Sequence, residues 1–115
     1  MTDIEDAIVA MFRSIDHRDW DSLEELLSPD VVYSRPGHPD FTSRADFVHF
    51  YKNARRIDSG SHSLRAIITK GTLACCWGAF NGTSSDGGAI DILFSDWYEF
   101  VNGVVRTRRT FISAL

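Results

Sequence analysis

Cysteine is nearly absent. Among 115 residues there are two, Cys75 and Cys76, and they are neighbours. Adjacent strand residues point to opposite faces, so these two do not bridge each other, and two thiols fall short of a structural zinc site. No disulfide framework is expected, and the pair fits a reducing cytoplasm. Positive charge is also in deficit. Twelve Lys and Arg stand against sixteen Asp and Glu, for a net charge of −4. A surface of that sign does not attract nucleic acid or anionic membrane, and neither is expected as a partner. Asp3, Glu5 and Asp6 stand at the start in place of an apolar run, so neither a signal peptide nor an anchor is expected. Repeats, linkers and low-complexity segments are missing. His38, Asp40 and His49 lie near one another at no spacing that metal sites use, and no metal or cofactor is expected.

What is present is ordinary globular material, 43% hydrophobic and 24% charged. A chain of this size buries roughly two-thirds of its unfolded surface, enough for one domain over residues 1–115. Thr2 and Glu5 form a capping box, and Ile4, Ala7, Ile8, Met11, Phe12 and Ile15 follow as the stripe of an amphipathic helix. After a break at Asp16 to Arg18, Trp20, Leu23, Leu26 and Leu27 mark a second helix, which Ser28-Pro29 stops. Val31 to Arg35 reads as a strand, and Pro36-Gly37-His38-Pro39 as a loop. Ser43 and Asp46 cap a third helix bearing Phe47, Phe50, Tyr51 and Ala54, with Gly60 as its end.

The remainder is β. Strands are expected over Ser61–Thr69, Thr72–Thr83, Ala89–Val101 and Val104–Ser113, joined at Lys70-Gly71, at Ser84 to Gly88 and at Asn102-Gly103. Asn-Gly is the strongest short signal for a type I′ hairpin, and a two-residue turn there sets Asp96 opposite Arg109. Phe94, Tyr98, Phe100 and Phe111 share their face. Carried across the other turns, this register makes a row of Leu64, Trp77, Asp96 and Arg109. A second row holds His62, Ala79, Phe94 and Phe111, and a third Ala66, Cys75, Tyr98 and Thr107. Trp97 opposite Arg108 and Glu99 opposite Arg106 fall on the outer face.

An acid and a guanidinium among aromatic rings are costly to bury. They are either a structural ion pair or the floor of a binding site. With Arg109 beside it, Asp96 is an ionised carboxylate; with Arg109 turned away, burial favours the protonated, donating form. His62 is the second acid–base candidate, on the same face about 11–12 Å away by strand spacings. Its alternative is a half-exposed histidine at a strand start. Tyr33 and Arg35 alternate on the first strand and reach either the cavity mouth or the surface. Trp77 is core or ligand platform. An enclosed volume of a few hundred Å³ ending on Asp96 would mark an enzyme. A cone filled by Trp77, Phe94 and Phe111 would mark a binding module.

Two stretches, MFRSIDHRDWDSLEELLSPDVVY and FSDWYEFVNGVVRTRRTF, carry a family resemblance over nearly the whole chain. They resemble the opening helices and first strand, and the last hairpin, of the nuclear transport factor 2-like superfamily. That group includes ketosteroid isomerase, SnoaL-like polyketide cyclases and limonene epoxide hydrolase. The resemblance implies an α+β fold, a cone-shaped α+β barrel (cystatin-like roll) with three N-terminal helices packed on a curved antiparallel sheet. Asp96 falls where ketosteroid isomerase keeps a protonated aspartic acid as an oxyanion donor. Met11 and Arg35 stand where that enzyme's tyrosine and base aspartate would be, so its constellation is incomplete here. An Asp–Arg pair is closer in type to the epoxide hydrolase branch. The implied activity is cofactor-independent isomerase, cyclase or hydrolase chemistry on an apolar small molecule. Asp96, Arg109 and His62 would be catalytic, with Tyr33, Arg35, Trp77, Phe94, Tyr98 and Phe111 lining the pocket. A non-catalytic ligand-binding or dimerisation module is the alternative. Trp97, Leu93 and Val101 on the outer sheet face, with the family's habit, imply a homodimer.

Overall fold

The structure, a computed structural model, describes residues 3–114. The chain opens with helix α1 (Asp3–Asp16), whose acidic first turn suits the positive end of the helix dipole. Its apolar stripe buries Ile8, Met11, Phe12 and Ile15, as the spacing predicts. The Thr2 half of the expected capping box lies outside the described residues. Arg18 takes φ 57° at the break. Asp19 then caps α2 (Trp20–Glu25), accepting from the backbone N–H of Ser22 at 3.2 Å and its hydroxyl at 2.7 Å.

Strand β1 (Leu27–Ser34) starts earlier than the proline implied. Pro29 is tolerated because β1 is an edge strand, where a missing N–H leaves no ladder bond unmade. Helix α3 (Arg44–His49), capped by Ser43, passes into a π-helical turn over Phe50–Ala54 and stops there. Gly60 does not end it. It lies inside β2 (Ile57–Lys70), where a Cβ would run into the ring of Phe80 and the carbonyl of Asn81. The need there is close approach, not helix termination.

Strands β3 (Leu73–Ser84), β4 (Ala89–Val101) and β5 (Val104–Ala114) complete a curved sheet ordered β1-β5-β4-β3-β2. It is antiparallel except for the parallel pairing of β1 with β5. It forms the expected cone-shaped roll, left open rather than closed into a barrel because β1 and β2 are free edges. The helices cover its inner face, and Phe12, Phe47, Phe80, Phe94, Tyr98 and Phe100 belong to the shared core.

The Asn102-Gly103 turn forms as expected, with φ of 52° and 81° and Val101 facing Val104. One residue later the register departs from it. Phe100 faces Val105, but Glu99 faces Thr107, leaving Arg106 as an extra residue in β5. This β-bulge reverses the facing of everything beyond it. Asp96 lies opposite Thr110, and Trp97, on the outer face, lies opposite Arg109. Arg106 reaches instead to Asp30, donating to its carbonyl at 2.9 Å. The β2–β3 turn sits at Gly71-Thr72, with Lys70 facing Leu73, and β2 carries its own irregularity at Arg65. The β3–β4 pairs are also shifted by one, so Asp96 faces Cys76 and Trp77 faces Ser95. The expected row of Leu64, Trp77, Asp96 and Arg109 is replaced by Ile67, Cys76, Asp96 and Thr110. In the other expected rows, His62 faces Phe80, Phe94 lies between Gly78 and Ile112, and Tyr98 between Ala74 and Arg108.

Candidate functional site

Every second residue of β4 from Phe94 to Phe100 points inward, which puts Asp96 at 0% exposure beneath the helices. Four donors surround its carboxyl. Arg108 reaches Oδ2 through Nε at 3.0 Å and Nη2 at 2.8 Å, and the Tyr98 hydroxyl donates to the same oxygen at 2.9 Å. Thr110 donates to Oδ1 at 2.6 Å. Four donors and no acceptor are the environment of a carboxylate.

The network continues outward in one direction. Thr110 has spent its proton on Asp96, so at 2.8 Å it accepts from the Tyr33 hydroxyl. Tyr33 in turn receives Arg35 Nη1 at 3.1 Å and lies 3.3 Å from the Tyr51 hydroxyl, which accepts from Arg108 Nη1 at 2.9 Å. The Arg108 guanidinium lies over the Tyr33 ring, 4.4 Å from its centroid. Burial works against its charge, but Asp96 together with Tyr33, Tyr51 and Tyr98 holds it well above its ordinary pKa. Burial pushes the Tyr33 and Tyr98 phenols up. Tyr51 goes the other way: burial opposes its ionisation, yet Arg108, Arg35 and Arg55 outweigh it and make the phenol more acidic. Cys76, beside Asp96, is pushed up to about 12 by burial first and the carboxylate second.

A second pair stands across the cavity. Asp16, at the end of α1, accepts from the His62 backbone N–H at 2.9 Å and lies 2.6 Å from ring Nδ1. A carboxylate only accepts, so Nδ1 carries the proton and Nε2 keeps the free lone pair of the neutral ring. Phe12 and Phe80 pack on the imidazole at 4.7 Å and Phe94 at 5.4 Å. Burial lowers the His62 pKa, against the pull of Asp16. His62 and Asp96 line one cavity of about 40 Å³, with Tyr33, Tyr51, Arg35 and Arg55. That is far smaller than the few hundred Å³ an open enzyme cone would have.

The sequence profile of the SnoaL-like domain matches residues 8–107. The chain belongs to the SnoaL-like family. Solved structures share this fold at low identity. An NTF2-like protein of unknown function from Burkholderia pseudomallei superposes with a TM-score of 0.88 at 16% identity, over 98% of this chain and 92% of that one. An LEH-like epoxide hydrolase of M. tuberculosis gives 0.85 at 13% identity, over 96% and 83%. TerC, co-crystallised with polyporic acid, gives 0.86 at 17% identity, over 97% and 92%. No curated protein matches the chain. At these identities the neighbours show a shared fold.

Within this SnoaL-like fold, Asp96, His62, Tyr33, Arg35, Phe94 and Tyr98 are gathered at the inner face. Arg109, Trp77 and Phe111 are not. The Arg106 bulge turns Arg109 and Phe111 outward, and the shifted β3–β4 register does the same to Trp77, which is 43% exposed. Arg108, expected on the outer face, takes the role foreseen for Arg109. Asp16, Tyr51, Arg55 and Thr110 were not foreseen. Tyr51 is legible only as one apolar position of a helix. Asp16 meets His62 across 46 residues with no local signal.

A larger concavity, an open groove of about 950 Å³, lies on the outer face with Ile68, Leu73, Trp97, Arg109 and Phe111 along it. Asp40, Lys70 and Glu99 line it with Arg109, whereas the hydrogen-bonded Asp96–Arg108 and Asp16–His62 pairs stand at the inner cavity. No helix among the described residues is long and apolar enough to cross a membrane. No group of three His, Cys, Asp or Glu among them is arranged to hold a metal.

Proposed function

We propose that this SnoaL-like protein binds an apolar small molecule at the inner cavity and performs acid–base chemistry there as an isomerase, cyclase or hydrolase. No cofactor enters that scheme. The observation carrying this reading is the Asp16–His62 pair, a neutral imidazole fixed in one tautomer by a carboxylate at the wall of a cavity. His62 Nε2 is the general base, and Asp16 orients the ring and offsets the imidazolium charge that forms. Asp96 accepts from four donors and so serves as the anchor that fixes Arg108, Tyr98 and Thr110, not as the proton acceptor. The acidified Tyr51 phenol, beside Arg108, supports a donor role toward the oxygen on which charge grows.

A thermal-shift screen across lactones, epoxides, steroids and polyketide fragments would find the ligand class. With a turned-over compound, His62→Asn is expected to lose on the order of 100-fold in rate while remaining folded. The acid limb of the rate profile should fall only below the ordinary histidine value of 6.5, because burial keeps His62 in its basic form. Unchanged turnover in His62→Asn would sink the assignment.

Two observations favour a second reading, a non-catalytic ligand-binding or association module. The cavity of about 40 Å³ is small, and Asp96 is saturated with donors. Under it His62→Asn alters stability or association and no chemistry.

The outer face supports a homodimer. Trp97 and Phe111 are more than half exposed, and Ile68 and Leu73 extend the apolar area beside them. The free thiols Cys75 and Cys76 support a cytoplasmic setting.

A further inference from the structure

Three guanidiniums line the inner cavity, and the cluster holds one buried carboxylate to meet them. Arg108 takes Asp96. Asp16 is engaged twice by His62. Among the described residues no carboxylate pairs with Arg35 or Arg55. Their Nε atoms are both buried and both without a hydrogen-bond acceptor. Arg35 gives Nη1 to Tyr33 and stacks 4.8 Å from the Phe50 centroid. Arg55 has only ring faces, Tyr51 and Phe80, each at 5.0 Å. Rings accommodate a cation, but they give an N–H no in-plane acceptor. Burying two such donors on one small cavity leaves a surplus of positive charge and unmet hydrogen bonds at the same place. Arg55, with Tyr51, Ile57 and Phe80, also stands in the wall shared with a neighbouring pocket of about 170 Å³.

We infer that the ligand of this cavity is an organic carboxylate, its anionic head held between Arg35 and Arg55. A carboxylate offers two planar oxygens to the two unsatisfied forks, and Phe94, Ile92 and Ile112 offer its body an apolar wall. The volume of about 40 Å³ admits the head group, and the pocket of about 170 Å³ adjoins it across Arg55. This rests on the reading of the cavity as a small-molecule site and narrows its ligand class.

The test uses the intact protein with acetate, benzoate and cinnamate against acetamide, benzamide and cinnamamide. Binding is read by calorimetry and by the Nε–H resonances of Arg35 and Arg55. At least one acid should bind roughly tenfold or more tightly than its amide, the loss expected when an ionic hydrogen-bonded pair is missing. Both Nε–H resonances should move with the acid and stay with the amide. Arg35→Met and Arg55→Met, which keep the packed stem, should each erase most of that preference; the wild-type resonances report even where a variant fails to fold. Equal affinity for acid and amide overturns the inference while leaving a small-molecule site in place. So does silence of all three acids at millimolar concentration. The acid–base reading falls separately, to unchanged turnover in His62→Asn.

Discussion

The two faces of the β4–β5 hairpin are made from alternate residues of the same strands and could hardly differ more. Inward stand Asp96, Tyr98, Arg108 and Thr110, joined by hydrogen bonds of 2.6–3.0 Å and shut from solvent. Outward stand Trp97, Arg109 and Phe111, with Trp97 at 55% exposure and no partner element laid over them. The inner face carries charge where apolar groups are usual, and the outer face exposes large apolar side chains beside its charged ones. Such an inversion is unfavourable for a lone folding unit and sensible for one that keeps its inside for chemistry and its outside for association.

The comparison breaks first at Asp96. Replacing it with Ala strands the Arg108 guanidinium in the core, and a loss of about 3–5 kcal/mol in urea unfolding is expected. Coupling Asp96→Leu with Arg108→Met should recover much of that loss, because matched apolar pairs replace buried ions well. A double variant no better than Asp96→Ala would mean that the ion pair contributes more than mutual compensation.

A sharper probe is the bulge. Deleting Arg106 removes the extra residue while leaving Asp96 opposite the former Thr110 and Trp97 opposite the former Arg109. The inner and outer sets should keep their sides, at a loss of roughly 1–2 kcal/mol from straightened curvature and the lost contact to Asp30. Amide cross-peaks between the two strands would check this. If the deletion swaps the faces, neither the turn geometry nor the buried network sets the register.

The smallest effect on the fold is expected on the outside. Trp97→Glu should change unfolding stability by no more than about 0.5 kcal/mol, as surface changes do. Under the proposed homodimer, sedimentation should nevertheless show monomer where the unaltered protein shows dimer. A variant that stays dimeric places the interface elsewhere.

These faces also show what could be read in advance. The stripe of α1, the Asn102-Gly103 turn and the span of β4 are local features, set by residues a few positions apart, and they were legible. Helices followed by a meander already read as an α+β pattern, and the resemblance added the cone-shaped roll. The bulge at Arg106 has no glycine or proline to announce it, because it arises from how β5 fits between β1 and β4. One unannounced residue was enough to exchange Arg108 with Arg109 and to send Phe111 outward. Similarly, the β2–β3 turn moved by one position because Gly71, at φ 60°, takes the first place of the turn. Asp96 and His62 could be picked by residue type on a plausible face. Asp16 could not, since helix α1 meets β2 only through the tertiary fold.

One earlier feature bears on how the molecule comes into being. Strand β1 has a single neighbour in the sheet, and that neighbour is β5, far downstream in the sequence. On a ribosome β1 emerges early and waits, its ladder unpaired, until residues beyond 105 have been released. Tyr33 meets Thr110 only then, so the inner network cannot exist in any shorter nascent chain. The pocket is completed only when β5 docks beside β1, with a long loop to close and an apolar edge strand to protect until it does.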